Sequence, residues 1–242
     1  MFLADSSRSV SDFRDLLFDF NKEYNLVGID CMNIEVENSA VFWDKRHQKY
    51  NRDEIVFDNW LEKFDQLIEE CATPVLDLGC GSGNDTLYLI KKRKRVISCD
   101  QSPNAIKNIK NNFPEIYDAK CFNMLDGIDF DDNMFDMIIA DLCLHYFREL
   151  DTKRILLDIK RLLSPKGHLV LRVNSINDVN YGAGDGEEIE HHLYKTNEGM
   201  IKRFFDMNDI NYFFGDFEIE YCKEEIITRY KLEKVVYCLC VK

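Results

Sequence analysis

"VLDLGCGSGNDT", residues 75–86, decides how this chain is read. An apolar run that follows Pro74 carries the carboxylate Asp77 and then breaks into three glycines alternating with small residues. A short apolar run bounded in this way reads as a buried strand, and glycines directly after it let a ligand approach the backbone. A nucleoside triphosphate loop needs Lys and Ser/Thr after its last glycine, but Gly83 is followed by Asn84 and Asp85. A dinucleotide fingerprint needs G-x-G-x-x-G, and Gly79, Gly81 and Gly83 stand one residue short of it. A pyrophosphate at a helix N-terminus is also disfavoured by nearby carboxylates, here Asp77 before the loop and Asp85 after it.

Outward from this turn the chain alternates two periods. "RVISCD", "AKCFNML", "MFDMIIADL" and "HLVLRV" read as four further strands. "NDTLYLIKKRKR" reads as a helix capped by Asn84 or Asp85, and "SPNAIKNIKNNF" as one with Ser102 as cap and Pro103 at its first position. "DTKRILLDIKRLL" has a helical stripe at Ile155, Leu156, Ile159, Leu162 and Leu163, ended by "SPKG". Residues 176–200 are loop-like, a helix is expected around "GMIKRFFDMNDI", and "DFEIEYCKEEIITRY" with "EKVVYCLCV" forms a hairpin. Alternating strands and helices followed by a hairpin imply an open α/β sheet, mostly parallel, with ligands bound outside the carboxyl ends of its strands.

The acids that exclude phosphates suit S-adenosylmethionine, which carries a sulfonium and an ammonium and no phosphate, while its carboxylate can use the free amides of the turn. "VLDLGCGSGN" resembles motif I of the class I S-adenosylmethionine-dependent methyltransferases. The resemblance runs from about residue 40 to the C-terminus through "VISCDQS", "NMLDGIDF", "FDMIIADLCLHYF" and "LLSPKGHLVLRV". "FWDKRHQKY" is similar to the lid segment of small-molecule members, including the tellurite-resistance and thiopurine-type enzymes.

The resemblance implies a Rossmann-like fold: a mostly parallel seven-stranded sheet with a C-terminal antiparallel hairpin and helices on both faces. Residues 1–70 read as a helical, partly amphipathic segment ("SDFRDLLFDF", "FDNWLEKFDQLIEE") that is expected to pack against the sheet or serve as a lid over its ligand edge, before a methyltransferase domain over 71–242 with a substrate-side insertion around 176–212. The resemblance implies that Gly79, Cys80 and Gly81 line the methionine part of the cofactor, with Asp77 near its ammonium. Asp100 would accept both ribose hydroxyls, Gln101 and Ser102 would flank the adenine, and Leu125 and Asp126 would meet it. Asp141 and Leu142 would lie beside the transferring methyl, Asp141 counting as catalytic as well as cofactor-binding. Trp43 and Tyr50 would close over the cofactor.

His145, the one histidine close to this site by sequence, could accept a proton from a hydroxyl or amine; a packing role is an equal alternative. His191 and His192 are adjacent, and adjacent residues point apart on regular elements, so no metal site is expected. The nine cysteines form no CxxC pair and read as buried free thiols of a cytoplasmic protein.

The net charge of −13 argues against a grip on nucleic acid. No apolar run approaches the length of a membrane span. The fourth-strand motif "DLCL" differs from the Asn/Asp-Pro-Pro-aromatic motif of enzymes that methylate exocyclic base amines. A small-molecule acceptor is therefore expected, with S-adenosylhomocysteine as the other product. A protein side chain as acceptor, or a non-catalytic cofactor-binding role, is the alternative. Oligomeric state is left open.

Overall fold

The computed structural model describes residues 29–48, 59–196, 199–229 and 231–242. The expected helix at "SDFRDLLFDF" and the expected lid residue Tyr50 lie outside them. The chain divides into two units, Met1–Glu37 and Asn38–Lys242, and every strand among the described residues belongs to the second.

The elements run α1 (Ile29–Gln48), a 3-10 turn (Asn59–Phe64), α2 (Asp65–Glu70), β1 (Val75–Leu78), α3 (Asn84–Lys91), β2 (Val96–Asp100), α4 (Pro103–Asn112) and β3 (Asp118–Cys121). β4 (Phe135–Asp141), α5 (Glu149–Leu162) and β5 (Leu163–Asn174) follow. After them come β6 (Glu187–Glu190), β7 (Leu193–Lys195), β8 (Ile201–Arg203), α6 (Met207–Phe214), β9 (Ile219–Arg229) and β10 (Leu232–Val241). Seven strands form one sheet in the order β3-β2-β1-β4-β5-β10-β9. β1 to β5 are parallel, and β10 runs antiparallel to both β5 and β9. The strand order reverses between β1 and β4, so the ligand crevice of such a sheet opens at their carboxyl ends.

Alternation along the strands builds two core layers, because successive side chains point to opposite faces. Leu76, Leu78, Ile138, Ala140 and Leu171 pack with α5 and α6 residues such as Ile155, Ile159, Ile210 and Phe214. Val75, Val96, Ile139 and Val170 pack with Trp60, Leu61, Ile68 and Leu89 on the other face. The stripe read on α5 is the buried one, and Ser102 caps α4 by accepting from the Ala105 amide at 3.0 Å.

Three local expectations are corrected. "GMIKRFFDMNDI" is not one helix: Ile201–Arg203 is β8, paired with β7, and the helix begins only at Met207. Asp206 fixes that start through a capping box with Asp209, which outweighs the helical periodicity before it. Residues 176–200, read as loop, contain β6 and β7 of a separate three-stranded antiparallel sheet. Neither Asn84 nor Asp85 caps α3; its N-cap is Gly83 in a left-handed conformation, and Asp85 turns inward to accept from Trp60 Nε1 at 2.8 Å. The helix α5 ends at Leu162, just before "SPKG", while "SPKG" itself lies within β5, where the register jumps from Leu163 opposite Phe135 to His168 opposite Met137.

Candidate functional site

The turn after β1 is shaped mainly by the protein's own packing. A Cβ on Gly79 (φ +75°) would lie 2.6 Å from Cys143 Cβ, and one on Gly83 (φ +86°) 2.6 Å from Ile109 Cδ1. Ligand approach alone therefore does not account for those two glycines. Gly81 is the more open position, its nearest neighbour being the His47 ring at 3.4 Å. The Gly79 and Cys80 amides donate to Cys99 O, which ties the turn to the end of β2.

Four carboxylates collect around this strand edge. Asp100 ends β2; its two oxygens accept from the Gly81 and Ser102 amides, both at 2.9 Å. Each oxygen keeps a second lone pair. Burial raises the Asp100 pKa, opposed by these amides and by His47. Asp77 is buried and accepts from Thr86 Oγ1 at 2.5 Å. Burial is the main force pushing its pKa up to about 7; Thr86 opposes the shift, while Asp141 and Asp100 add to it. Asp85 is pushed up well above the carboxylate range by burial, then by Asp141 and Asp77, against Arg172 and Trp60. Asp141, at the end of β4, holds Arg172 in a two-pronged ion pair, Nε at 2.6 Å and Nη2 at 2.8 Å. The buried Arg172 guanidinium sits 4.5 Å from the centre of the Trp60 ring.

The residues expected on the adenine side follow the end of β3. Asn123 Oδ1 accepts from the Leu125 amide at 3.0 Å, Arg154 donates to Leu125 O, and the Asp126 side chain is exposed. Gln101 is half-buried at the end of β2. The buried Ser102 hydroxyl is engaged on both sides, donating to Asp44 Oδ1 at 2.7 Å and accepting from Ala105.

The C-terminal half of α1 is fastened to α4. Asp44 also accepts from the Asn104 amide and side chain, each at 2.9 Å, and Asn108 donates to His47 O. Hydrogen bonds from Asn104 and Ser102 hold the Asp44 pKa down. Trp43 meets Tyr146 edge-on at 5.5 Å between ring centres.

Beyond β4 lies a cavity of about 500 Å³. Of the residues expected at the site, Trp43, Leu142 and His145 line it; Asp77, Gly79, Asp100, Leu125 and Asp126 do not. The sequence reading missed the polar wall: Arg46 from α1, Asn174 from β5, Lys202 from β8, Arg229 from β9 and Lys234 from β10. His145 is buried, and its Nδ1 has no hydrogen-bond partner among the described residues. Burial holds its pKa well below the ordinary value, and Lys202, Lys234 and Arg229 add to this. The imidazole is thus neutral at pH 7.

His191 and His192 do not point apart as expected. They sit at the turn between β6 and β7, where His192 has φ +55°, and their rings stack at 3.9 Å. His192 Nδ1 lies 2.7 Å from Asp209 Oδ2, and the three residues bring ligand atoms within 4.8 Å of one another. Asp209 also accepts from the Asp206 amide in the capping box.

The donor set at the strand edge fits S-adenosylmethionine. After burial, the Asp141 and Asp100 carboxylates add to the cost of ionising Asp77, a cost that the ligand's two cationic centres would relieve. Asp100 has the lone pairs for two ribose hydroxyls, and no lysine or arginine stands in the turn to receive a phosphate.

Comparison with known proteins agrees. Residues 76–171 match the family model described as a methyltransferase domain. An uncharacterized methyltransferase of Synechocystis sp. is 30% identical over 115 residues, which cover 46% of this chain and 53% of that protein. The chain thus spans about half the length of that relative. The S-adenosylmethionine-dependent methyltransferase structure from Anabaena variabilis superposes with a TM-score of 0.62 at 18% identity, over 85% of this chain and 93% of that one. The 1,6-didemethyltoxoflavin-N1-methyltransferase of Burkholderia thailandensis, solved with 1,6-didemethyltoxoflavin and S-adenosylhomocysteine, matches with a TM-score of 0.54 at 17% identity, over 99% and 92%. Residues 76–171 thus match a methyltransferase domain, and the fold is the one seen in S-adenosylmethionine-dependent methyltransferases.

Proposed function

We propose that this chain transfers a methyl group from S-adenosylmethionine to a small-molecule acceptor bound in the cavity beyond β4. One observation carries the reading: a cavity of about 500 Å³ opens beside Leu142 and His145, next to the carboxyl end of β4. That volume is in the range of small-ligand sites. The solved relative with 1,6-didemethyltoxoflavin bound shows that a neighbour of this fold takes a small acceptor. When bound, the cofactor supplies a methyl group activated by sulfonium, and the protein's task is alignment.

In this reading Asp100 holds the ribose, Leu125 and Asp126 face the adenine, and Gly79, Cys80 and Gly81 with Asp77 hold the methionine part. The Asp141 carboxylate acts by fixing Arg172 and the end of β4, while Leu142 borders both sites. Trp43 and Tyr146 close the acceptor side. His145, neutral and facing the cavity, can accept a proton from a hydroxyl or amine acceptor. The cations around it oppose an imidazolium, so this role requires the acceptor to offset their charge. The free thiols of the eight described cysteines suit a reducing compartment such as the cytoplasm.

The test is turnover of methyl-labelled S-adenosylmethionine with a panel of metabolites, read by mass spectrometry. Label is expected in a small molecule; label only in protein, or cofactor binding without transfer to any acceptor, would overturn the reading. With the acceptor found, His145→Ala is expected to lower kcat by about 100-fold or more if the acceptor is a hydroxyl or amine.

A further inference from the structure

The cavity beyond β4 has a polarity that the rest of the molecule lacks. The chain has 31 basic and 44 acidic residues. Yet among the described residues the side chains lining this cavity include four cations, Arg46, Lys202, Arg229 and Lys234, against one carboxylate, Asp185. They arrive from four separate elements, so no one charged helix face or strand explains them.

The hydrogen-bonding inventory points the same way. Lys234 is buried, and its ammonium is 2.5 Å from Asp178 Oδ2 and 2.7 Å from Asn174 Oδ1. That contact fixes which way the Asn174 amide faces, since only its oxygen can accept from an ammonium. Asn174 Nδ2 is then a fully buried donor with no partner among the described residues. Lys202 donates to Tyr181 O at 2.6 Å, a neutral carbonyl. Burial and the neighbouring Lys234 lower the Lys202 pKa to about 8, with Arg229 adding and Asp178 opposing. The Lys202 ammonium and the spare Asn174 amide N–H are both donors, and a buried donor without an acceptor is costly. An acceptor-only group with negative charge satisfies both, and the Arg229 guanidinium lines the same cavity.

We propose that this cavity recognises the oxyanion of its small-molecule ligand, a carboxylate or phosphate-type group held by Lys202, Arg229 and the Asn174 amide. The rest of the ligand lies toward Trp43, Tyr146 and Leu142, on the side of the cavity nearest β4. The assignment rests on the proposed function only in calling this ligand the methyl acceptor; the charge preference belongs to the cavity itself.

The test is calorimetric titration of the full chain with four probes of similar size: benzoate, phenyl phosphate, benzamide and benzyl alcohol. Each is run with and without saturating S-adenosylhomocysteine. At least one anion is expected to bind tenfold or more tightly than both neutral probes, and benzoate against phenyl phosphate decides which oxyanion the site prefers. Lys202→Met and, separately, Arg229→Gln should each remove most of that preference while S-adenosylhomocysteine affinity stays within twofold, which shows the variant folded. Equal affinity for charged and neutral probes, failure of every probe to bind, or a preference that survives both variants would overturn the inference. Failure of the wild-type chain to bind S-adenosylhomocysteine would instead overturn the proposed function, and the titrations without it are read independently.

Discussion

Two neighbouring regions carry opposite charge. The ends of β1, β2 and β4 carry Asp77, Asp100 and Asp141, with Asp85 near them; Arg229 of β9, Lys234 of β10 and Lys202 of β8, a strand of the separate three-stranded sheet, line the cavity with Arg46 of α1. The boundary falls at β4, where Leu142 and His145 stand. Both regions concentrate one sign of charge away from water, which is expensive unless a partner or ligand offsets it. Arg172 supplies a partner on the acidic side, and Asp178 does so on the basic side. The ligands proposed for the two sides differ accordingly: a cation-bearing cofactor on the acidic side, an oxyanion on the basic one. Apposed fields of this kind would orient two reactants before any contact at the reacting atoms is made.

The strongest way to break this comparison is to remove the internal partner of the acidic side. Arg172→Met leaves Asp141 and Asp85 without their buried cation, and stability should fall by about 3–5 kcal/mol, read as a drop in the urea midpoint. A smaller loss, below about 1 kcal/mol, would mean that the carboxylates do not depend on it. Next in size is cofactor affinity. Asp100→Ala removes charge-assisted bonds to two ribose hydroxyls, so S-adenosylhomocysteine should bind about 100-fold more weakly by calorimetry. Unchanged affinity would take the ribose role from Asp100.

The third prediction uses proton linkage. The folded pKa of Asp77, about 7, lies above the unfolded carboxylate value, so the native state holds the extra proton between the two. Its stabilising contribution is full below about pH 4 and is lost as pH rises through 7, with a slope of at most about 1.4 kcal/mol per pH unit. The stability difference between wild type and Asp77→Asn, followed from pH 5 to 8, should therefore shift against wild type as pH rises. A flat difference would show that Asp77 is ionised throughout. Over the same range S-adenosylmethionine should bind wild type more tightly as Asp77 gains its charge.

The smallest effect concerns the C-terminal half of α1. Asp44→Ala removes the acceptor that joins α1 to the first turn of α4, a contact worth about 1 kcal/mol. Cofactor affinity should fall a few-fold, and tryptophan fluorescence should report Trp43 leaving Tyr146. No change in either would separate that half of α1 from the cofactor site.

The acidic region was legible in the sequence because its residues sit where strands end. "VLDLG" and "VISCD" announce Asp77 and Asp100 by the break from apolar to polar, and strand ends in a parallel sheet converge on one edge. The roles of Gly79 and Gly83 were legible only in part, since Cys143 and Ile109, which require them, come from distant elements. Asp85 read as a helix cap because its position is a cap position; Trp60, brought over it by the other core layer, was the stronger partner. The helix expected across "GMIKRFFDMNDI" failed for a related reason: pairing with β7 and the Asp206 cap overrode local periodicity.

Patterns of apolar spacing, glycine placement and strand-end acids are local, and by themselves they determined the parallel sheet, the order of its elements and the cofactor class. The basic cavity was not local. Arg46, Asn174, Lys202, Arg229 and Lys234 have no shared spacing, and each alone reads as an ordinary polar residue. The insertion of β10 between β5 and β9, the folding of β8 beside them and the docking of the C-terminal half of α1 put these residues around one space. Only that tertiary arrangement decided the charge of the pocket, because the field in a cavity is a sum over side chains that the sequence keeps apart.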